Sequence, residues 1–362
     1  MSAQFHKLTI ADVRRETDNA ICVTFDVPED RKADFAFVQG QYLTLRAKID
    51  QQDIRRSYSI CSGLDDGALR IAIKRVEGGV FSTWANDSLK PGDTIDVMAP
   101  QGSFHTELGP DNEKNYLCIC AGSGITPVLS IIKTILAREP SSLVTLLYGN
   151  QRTATMMFRN ELAFIKNRYM ERFHWINIFS REPQEAAVLS GHINNRKGGE
   201  LNRRLINIRG FDTFFLCGPE AMISEVSRGL RGEGIDESDI HYELFAASAE
   251  DARKRVEKHH ARAREFRGMV SNVTVISGGR EYRFELTADG ENILDAGIDN
   301  GADLPFSCKG GVCATCKAKL IQGKVDMDLS NALEADEIDA GYILTCQSHP
   351  VSDNVIVDFD QP

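Results

Sequence analysis

Four cysteines toward one end of the chain carry the most concentrated chemistry in the sequence. Residues 308–316 read CKGGVCATC and Cys346 follows thirty residues later, so Cys308, Cys313, Cys316 and Cys346 form a C-x4-C-x2-C set with a distant fourth thiol. Cysteines at this spacing ligate the two irons of a 2Fe-2S cluster. Gly310 and Gly311 let the backbone turn close to such a cluster without Cβ clashes. The N–H groups of the loop would then face the sulfurs and stabilise their negative charge, and Ala314 and Thr315 keep the surrounding shell thin. Other chemistries fit less well. Structural zinc uses two close cysteine pairs, whereas this set has one. A disulfide framework needs an oxidising compartment. A nucleophilic cysteine needs a base and an orienting group, and only His349 lies near in sequence.

A one-electron centre needs a source of electrons, and three earlier stretches have the residue types for one. In RRSYSI, Arg56 and Tyr58 alternate onto one face of a strand, followed by Ser59. A cationic fork, an aromatic ring and a hydroxyl at this spacing can hold a phosphate, stack on a flavin and hydrogen-bond near its reactive nitrogen. EGGVFSTW places Gly78 and Gly79 before Ser82 and Thr83, an amide nest with hydroxyls suited to a diphosphate, which favours FAD over FMN. AGSGITP places Gly122 and Gly124 before Thr126 and Pro127, with threonine at the cap and proline in the first turn of a helix whose N-terminus attracts phosphate. Further on, FFLCGPEAMI holds Cys217, Gly218 and Pro219, and FSREP holds Ser180 and Arg181 at a strand end. With Arg152 these last two could grip a ribose 2′-phosphate, which points to NADPH, although Glu182 and Glu185 stand beside them.

Three kinds of element must position these groups. Residues 1–109 read as an antiparallel β-barrel: AICVTFDV, QYLTLRAKI, RRSYSICS and ALRIAIKRV alternate and are separated by Gly, Pro and Asp turns. Over residues 110–245 the rhythm changes to short apolar runs, YLCICA, SLVTLLYG, FHWINIFS and TFFLCG, with helical stretches between, the pattern of a parallel sheet covered on both faces. Residues 246–270 hold seven Lys or Arg against four Asp or Glu and read as a linker, with a charged helix as one form it could take. Residues 271–362 read as a small α+β unit with sixteen acidic and six basic residues. The whole chain has a formal charge of −10, so all of it sits on this last segment. Such a segment repels nucleic acid and anionic membranes and suits a basic partner. With no apolar run of membrane-spanning length and no signal-like N-terminus, the expected location is the cytoplasm, where Cys22, Cys61, Cys118 and Cys120 are buried thiols.

In this order the motifs resemble the ferredoxin–NADP reductase family followed by a plant-type ferredoxin domain. The phrases CKGGVCATCKAKLIQGKVDM and GYILTCQSHPVSDNVIVDFD resemble most the reductase subunits of bacterial phenylacetyl-CoA epoxidases. The resemblance spans the chain and implies a multidomain protein: FAD barrel, NADP-binding α/β domain and β-grasp-like ferredoxin domain. It implies FAD at Arg56, Tyr58, Ser59, Gly79, Ser82 and Thr83, with NADPH at Gly122, Gly124, Thr126, Arg152, Ser180, Arg181, Gly218 and Pro219. Cys217, Ser59 and Tyr58 are the expected catalytic residues. Electrons would pass from NADPH through FAD and the cluster to a di-iron oxygenase component in aerobic phenylacetate catabolism. Two alternatives follow from the same residues: the reductase of another oxygenase, such as a Rieske-type ring or steroid hydroxylase, and a non-enzymatic adaptor whose last domain binds zinc.

Overall fold

In the computed structural model, which describes residues 4–245 and 249–361, the alternating segments become strands and the apolar runs become a buried sheet. The chain divides into two compact units, one of residues 7–54 and 58–243 and a second built mainly of residues 244–362. Residues 246–248, the start of the expected linker, lie outside the described residues.

The first unit opens with β1 (Phe5–Thr17), β2 (Ala20–Asp26), β3 (Tyr42–Ile49), β4 (Gln52–Ser59), β5 (Leu69–Lys74), helix α1 (Val80–Ser88) and β6 (Thr94–Met98). The six strands order as β4-β3-β6-β1-β2-β5. A bridge between Ile60, just past β4, and Ile71 of β5 joins the two edges, as closure into a barrel requires. Inward positions such as Ile21, Val23, Leu43, Leu45, Ile71 and Val97 are buried, and Phe81 of α1 packs among them.

The same unit continues with β7 (Asn115–Ala121), α2 (Ile125–Arg138), β8 (Leu143–Asn150), α3 (Arg159–Arg168), β9 (Phe173–Phe179), α4 (Asn195–Arg204), β10 (Thr213–Cys217), α5 (Glu220–Gly232) and β11 (Ile240–Glu243). These strands are parallel, in the order β11-β10-β7-β8-β9. Tyr116 to Cys120 of the central strand are all buried, because helices cover both faces. Strand order reverses between β7 and β10. In such sheets a crevice opens beyond the carboxyl ends of the strands at that reversal, and the GSG and CGP loops both lie there.

The second unit contains helix α6 (Ala249–Glu265), β12 (Val270–Ser277), β13 (Arg280–Thr287), α7 (Ile293–Asp299), β14 (Lys317–Gln322), β15 (Val325–Met327), α8 (Ala335–Asp339), β16 (Tyr342–Leu344), β17 (Ser348–Pro350) and β18 (Asn354–Asp358). A mixed sheet orders as β13-β12-β18-β14-β16, with β12 and β18 parallel, and β15 pairs with β17 beside it. Helix α6 falls in the segment read as a linker, and one of its arginines is an anchor. Arg262, 2% exposed, donates through Nε to the Ala288 carbonyl at 2.8 Å, and through Nη1 to Asp326 at 2.7 Å and Asp328 at 2.9 Å. Asp328 also meets His349 Nε2 at 3.3 Å. A buried guanidinium is tolerable only when paired in this way. Here it ties α6 to the β15–β17 pair, whose second strand follows the fourth cysteine.

Candidate functional site

The ligand loop turns through three left-handed residues: Lys309 at φ +49°, Gly311 at φ +76° and Ala314 at φ +50°. The sequence leads one to expect the turn at both Gly310 and Gly311. Only Gly311 makes it, and the non-glycine residues beside it bear the rest of the strain. Turns of this kind aim successive N–H groups at one point. The Gly310 N–H meets Cys308 Sγ at 3.3 Å. The Cys313 thiol, and then the N–H groups of Gly310, Val312 and Cys313, pull the Cys308 thiol down to about 6. Cys346, held by Cys316 and by the Gln347 side chain, is also lowered, while Cys313 and Cys316 are raised by the partner that each faces.

The four thiols therefore lie in two pairs, Cys308 with Cys313 and Cys316 with Cys346. Among the described residues no three His, Cys, Asp or Glu side chains gather for one metal ion. Two irons take two thiolates each, so the pairs, the inward N–H groups and the glycine turn fit a 2Fe-2S cluster.

In the barrel, Gly78 (φ +72°) and Gly79 lead into α1, whose first turn has no side-chain cap. A Cβ on Gly79 would lie 2.6 Å from Ser82 Oγ and 3.1 Å from the Val76 carbonyl, so the loop closes only with glycine. Ser82 Oγ accepts from the Val76 N–H at 3.1 Å and donates to the Gly79 carbonyl at 3.2 Å, so it braces the nest, while Thr83 is partly buried. The uncapped N–H groups at the start of α1 suit a diphosphate. On β4, Arg56 is exposed, Tyr58 is partly buried with its ring 5.7 Å from Phe81, and Ser59 is buried.

At the strand reversal, backbones approach too closely for any side chain. A Cβ on Gly124 would lie 2.1 Å from the Cys217 carbonyl oxygen, and one on Gly218 would lie 2.7 Å from Met222 Cε and 3.2 Å from the Ala121 nitrogen. The GSG and CGP loops are thereby pressed together. Gly124 is itself the N-cap of α2, preceded by a tight turn at Gly122–Gly124. Thr126, expected at the cap, instead sits within the first turn and donates to the Ser123 carbonyl at 2.9 Å, because that turn starts the helix earlier. Pro127 is buried in the same first turn, and Pro219 is the N-cap of α5. Ser180 and Arg181 donate their N–H groups to the carbonyls of Asn150 and Gln151 at 2.9 Å each, joining the ends of β8 and β9. The Arg152 and Arg181 side chains are exposed there. Glu182 is held by the Thr153 hydroxyl at 2.6 Å and N–H at 2.8 Å.

Two residues of this site lack a readable sequence signal. Glu243, at the end of β11, is register partner to Cys217, and its Oε2 accepts from Ser59 Oγ at 3.0 Å across 184 residues. Burial lifts the Glu243 carboxyl to about 8, offset only in part by the Ser59 hydrogen bond, and burial keeps Cys217 a thiol well above the usual range. Lys74 is the other: its Nζ would be 3.6 Å from a Cβ on Gly122. A cation ending a barrel strand just before an EGG turn is its only trace. Glu243 also has a consequence for stability. Its carboxyl keeps a proton in the fold that the unfolded chain loses above the ordinary carboxylate range. Stability from this source is complete below about pH 4.5 and lost as pH rises through about 8. Glu243→Gln should flatten the fall in thermal midpoint between those limits, as followed by pH-dependent calorimetry.

Comparison with known proteins matches these parts one by one. The oxidoreductase FAD-binding domain family matches residues 7–106, the oxidoreductase NAD-binding domain family residues 118–228, and the 2Fe-2S iron-sulfur cluster binding domain family residues 276–351. Fold and site thus define an oxidoreductase of the kind that serves as the reductase component of an oxygenase system. The phthalate dioxygenase reductase structure, 23% identical and covering 98% of both chains at a TM-score of 0.58, shares the fold. The chain is 43% identical, over 98% of both sequences, to a 1,2-phenylacetyl-CoA epoxidase subunit of Escherichia coli K12, and it belongs to the family of that subunit. It is also 30% identical, over 97% of its length, to the 3-ketosteroid-9-alpha-monooxygenase ferredoxin reductase component of Rhodococcus rhodochrous. Among the described residues, no helix is long and apolar enough to cross a membrane.

Proposed function

We propose that this protein takes electrons from NADPH and delivers them to the di-iron oxygenase component of a phenylacetyl-CoA epoxidase, in the cytoplasm, during aerobic phenylacetate catabolism. The observation that carries this reading is the full-length likeness to the Escherichia coli epoxidase subunit. In this reading, residues 1–109 hold FAD, residues 110–245 hold NADPH and residues 271–362 hold the cluster. When bound, FAD would supply two-electron hydride chemistry and the 2Fe-2S cluster single-electron transfer.

The chain's own residues bind, orient and protect. Arg56, Tyr58 and the Gly78–Gly79 nest hold the flavin, with Ser82 keeping the nest closed. Gly122, Gly124 and Thr126 form the nucleotide loop. Gly124 and Gly218 bring the Cys217 turn against that loop, so the nicotinamide is held in one place. Ser59 Oγ and the Glu243 carboxyl, protonated near neutral pH, keep a proton at the end of β4. Cys308 and Cys313 would hold one iron, and Cys316 and Cys346 the other.

Arg152, Ser180 and Arg181 would grip the 2′-phosphate. A charge-assisted hydrogen bond is worth about 1.5–3 kcal/mol, so Arg181→Ala should raise KM for NADPH about tenfold to a hundredfold. The KM for NADH should stay within about threefold. Equal losses with both nucleotides would remove Arg181 from the 2′-phosphate site.

The partner is tested by presenting the reduced protein to purified oxygenase components. Product formation with the phenylacetyl-CoA oxygenase and none with the 3-ketosteroid oxygenase supports the reading. The reverse result places the protein in the second relative's system.

A further inference from the structure

The residue after the fourth cysteine touches both ligand segments at once. Gln347 is completely buried. Its Nε2 lies 2.9 Å from the Cys346 carbonyl, 3.2 Å from the Lys309 carbonyl and 3.3 Å from Cys346 Sγ. Two carbonyls can only accept, so the amide nitrogen, not the oxygen, must face them, which fixes the side chain's orientation. Lys309 belongs to the loop of the first three cysteines, so this amide bridges that loop to the distant fourth ligand. The surroundings are shaped to hold it. A Cβ on Gly311 would lie 3.1 Å from Gln347 Cγ and 3.2 Å from Leu329 Cβ, so glycine at 311 makes room for the glutamine. The Gln347 carbonyl accepts the Asp328 N–H at 2.8 Å, and Asp328 is anchored by Arg262 of α6.

We propose that Gln347 is a positioning residue of the cluster site: its two amide N–H groups, shared among the Cys346 carbonyl, the Lys309 carbonyl and Cys346 Sγ, hold the fourth ligand in register and raise the cluster's reduction potential. This rests on the 2Fe-2S reading of the four cysteines. When one electron enters, no bond forms or breaks, and the added negative charge is shared with the thiolate sulfurs. A donor aimed at one sulfur therefore stabilises the reduced state more than the oxidised one.

Holo, full-length protein is used for the test. Iron is counted first, then the one-electron equilibrium is read by anaerobic redox titration with EPR detection. Gln347→Met keeps the length and removes the donor. It should lower the equilibrium constant for reduction about tenfold, equivalent to about 59 mV for one electron. A change of less than twofold overturns the proposal. If Gln347→Met assembles no cluster, Gln347→His, which keeps an N–H donor, and Gln347→Leu, which has none, are compared. Histidine staying near wild type while leucine falls supports the proposal, and the opposite order overturns it. A wild-type chain without two irons would take down the cluster reading as well. Two irons with an unchanged potential in the methionine variant would reject Gln347 alone.

Discussion

Cys308→Ser abolishes electron delivery to a one-electron acceptor while NADPH still drives reduction of a two-electron dye at close to the wild-type rate. This split is expected because Cys308 is in the second compact unit and the loops at Gly78–Gly79, Gly122–Gly124 and Cys217–Pro219 are in the first. Cys308 is also held toward the thiolate by Cys313 and three backbone N–H groups. Outer-shell changes alone cost metal sites about ten- to a hundredfold, so loss of this ligand should exceed about a hundredfold in cluster-dependent turnover. The dye reaction should stay within about twofold. Parallel assays with cytochrome c and with a two-electron dye read both rates from one preparation. Loss of both activities would contradict the division of labour between the units.

The second large effect belongs to Gly124→Ala. The new methyl would have to occupy space 2.1 Å from the Cys217 carbonyl oxygen and 2.5 Å from its carbon, both backbone atoms. The GSG loop must then separate from the CGP turn. Overpacking of this kind costs about 1–3 kcal/mol of stability. Displacing a reacting group by about 1 Å costs about a hundredfold in rate. Stopped-flow measurement of flavin bleaching by NADPH should show that loss, with the flavin content unchanged. A variant that bleaches at the wild-type rate would show that contact between the two loops does not position the nicotinamide.

The order of FAD-binding, NAD-binding and 2Fe-2S domains is legible because its signals are local: three cysteines within nine residues, glycines in turns, and a change from alternating to continuous apolar runs. Contacts made across the fold are not. Ser59 stands out by its strand position, but its partner Glu243 is 184 residues away and looks like an ordinary acidic residue closing a short strand. Arg262 is one of seven basic residues in a polar stretch, and nothing in its neighbours marks it as the one that is buried. Its partners Asp326 and Asp328 come from a part of the sequence whose acidity reads as solvent-facing. Thr126 departs from expectation because cap preference depends on residue type, whereas the preceding tight turn moves the helix start to Gly124. A glutamine beside a ligand has no spacing signature, so Gln347 is silent in the sequence, and its role depends on Lys309 folding back within reach.

The central claim is that electrons enter at the flavin and leave through the cluster. It is tested most directly by mixing the holo protein with NADPH under anaerobic conditions, following flavin absorbance and freezing samples for EPR. The account predicts one FAD and two irons per chain, with flavin bleaching first and the reduced-cluster signal rising afterwards. A cluster signal that precedes flavin bleaching, or that never develops while the flavin stays reduced, would contradict it.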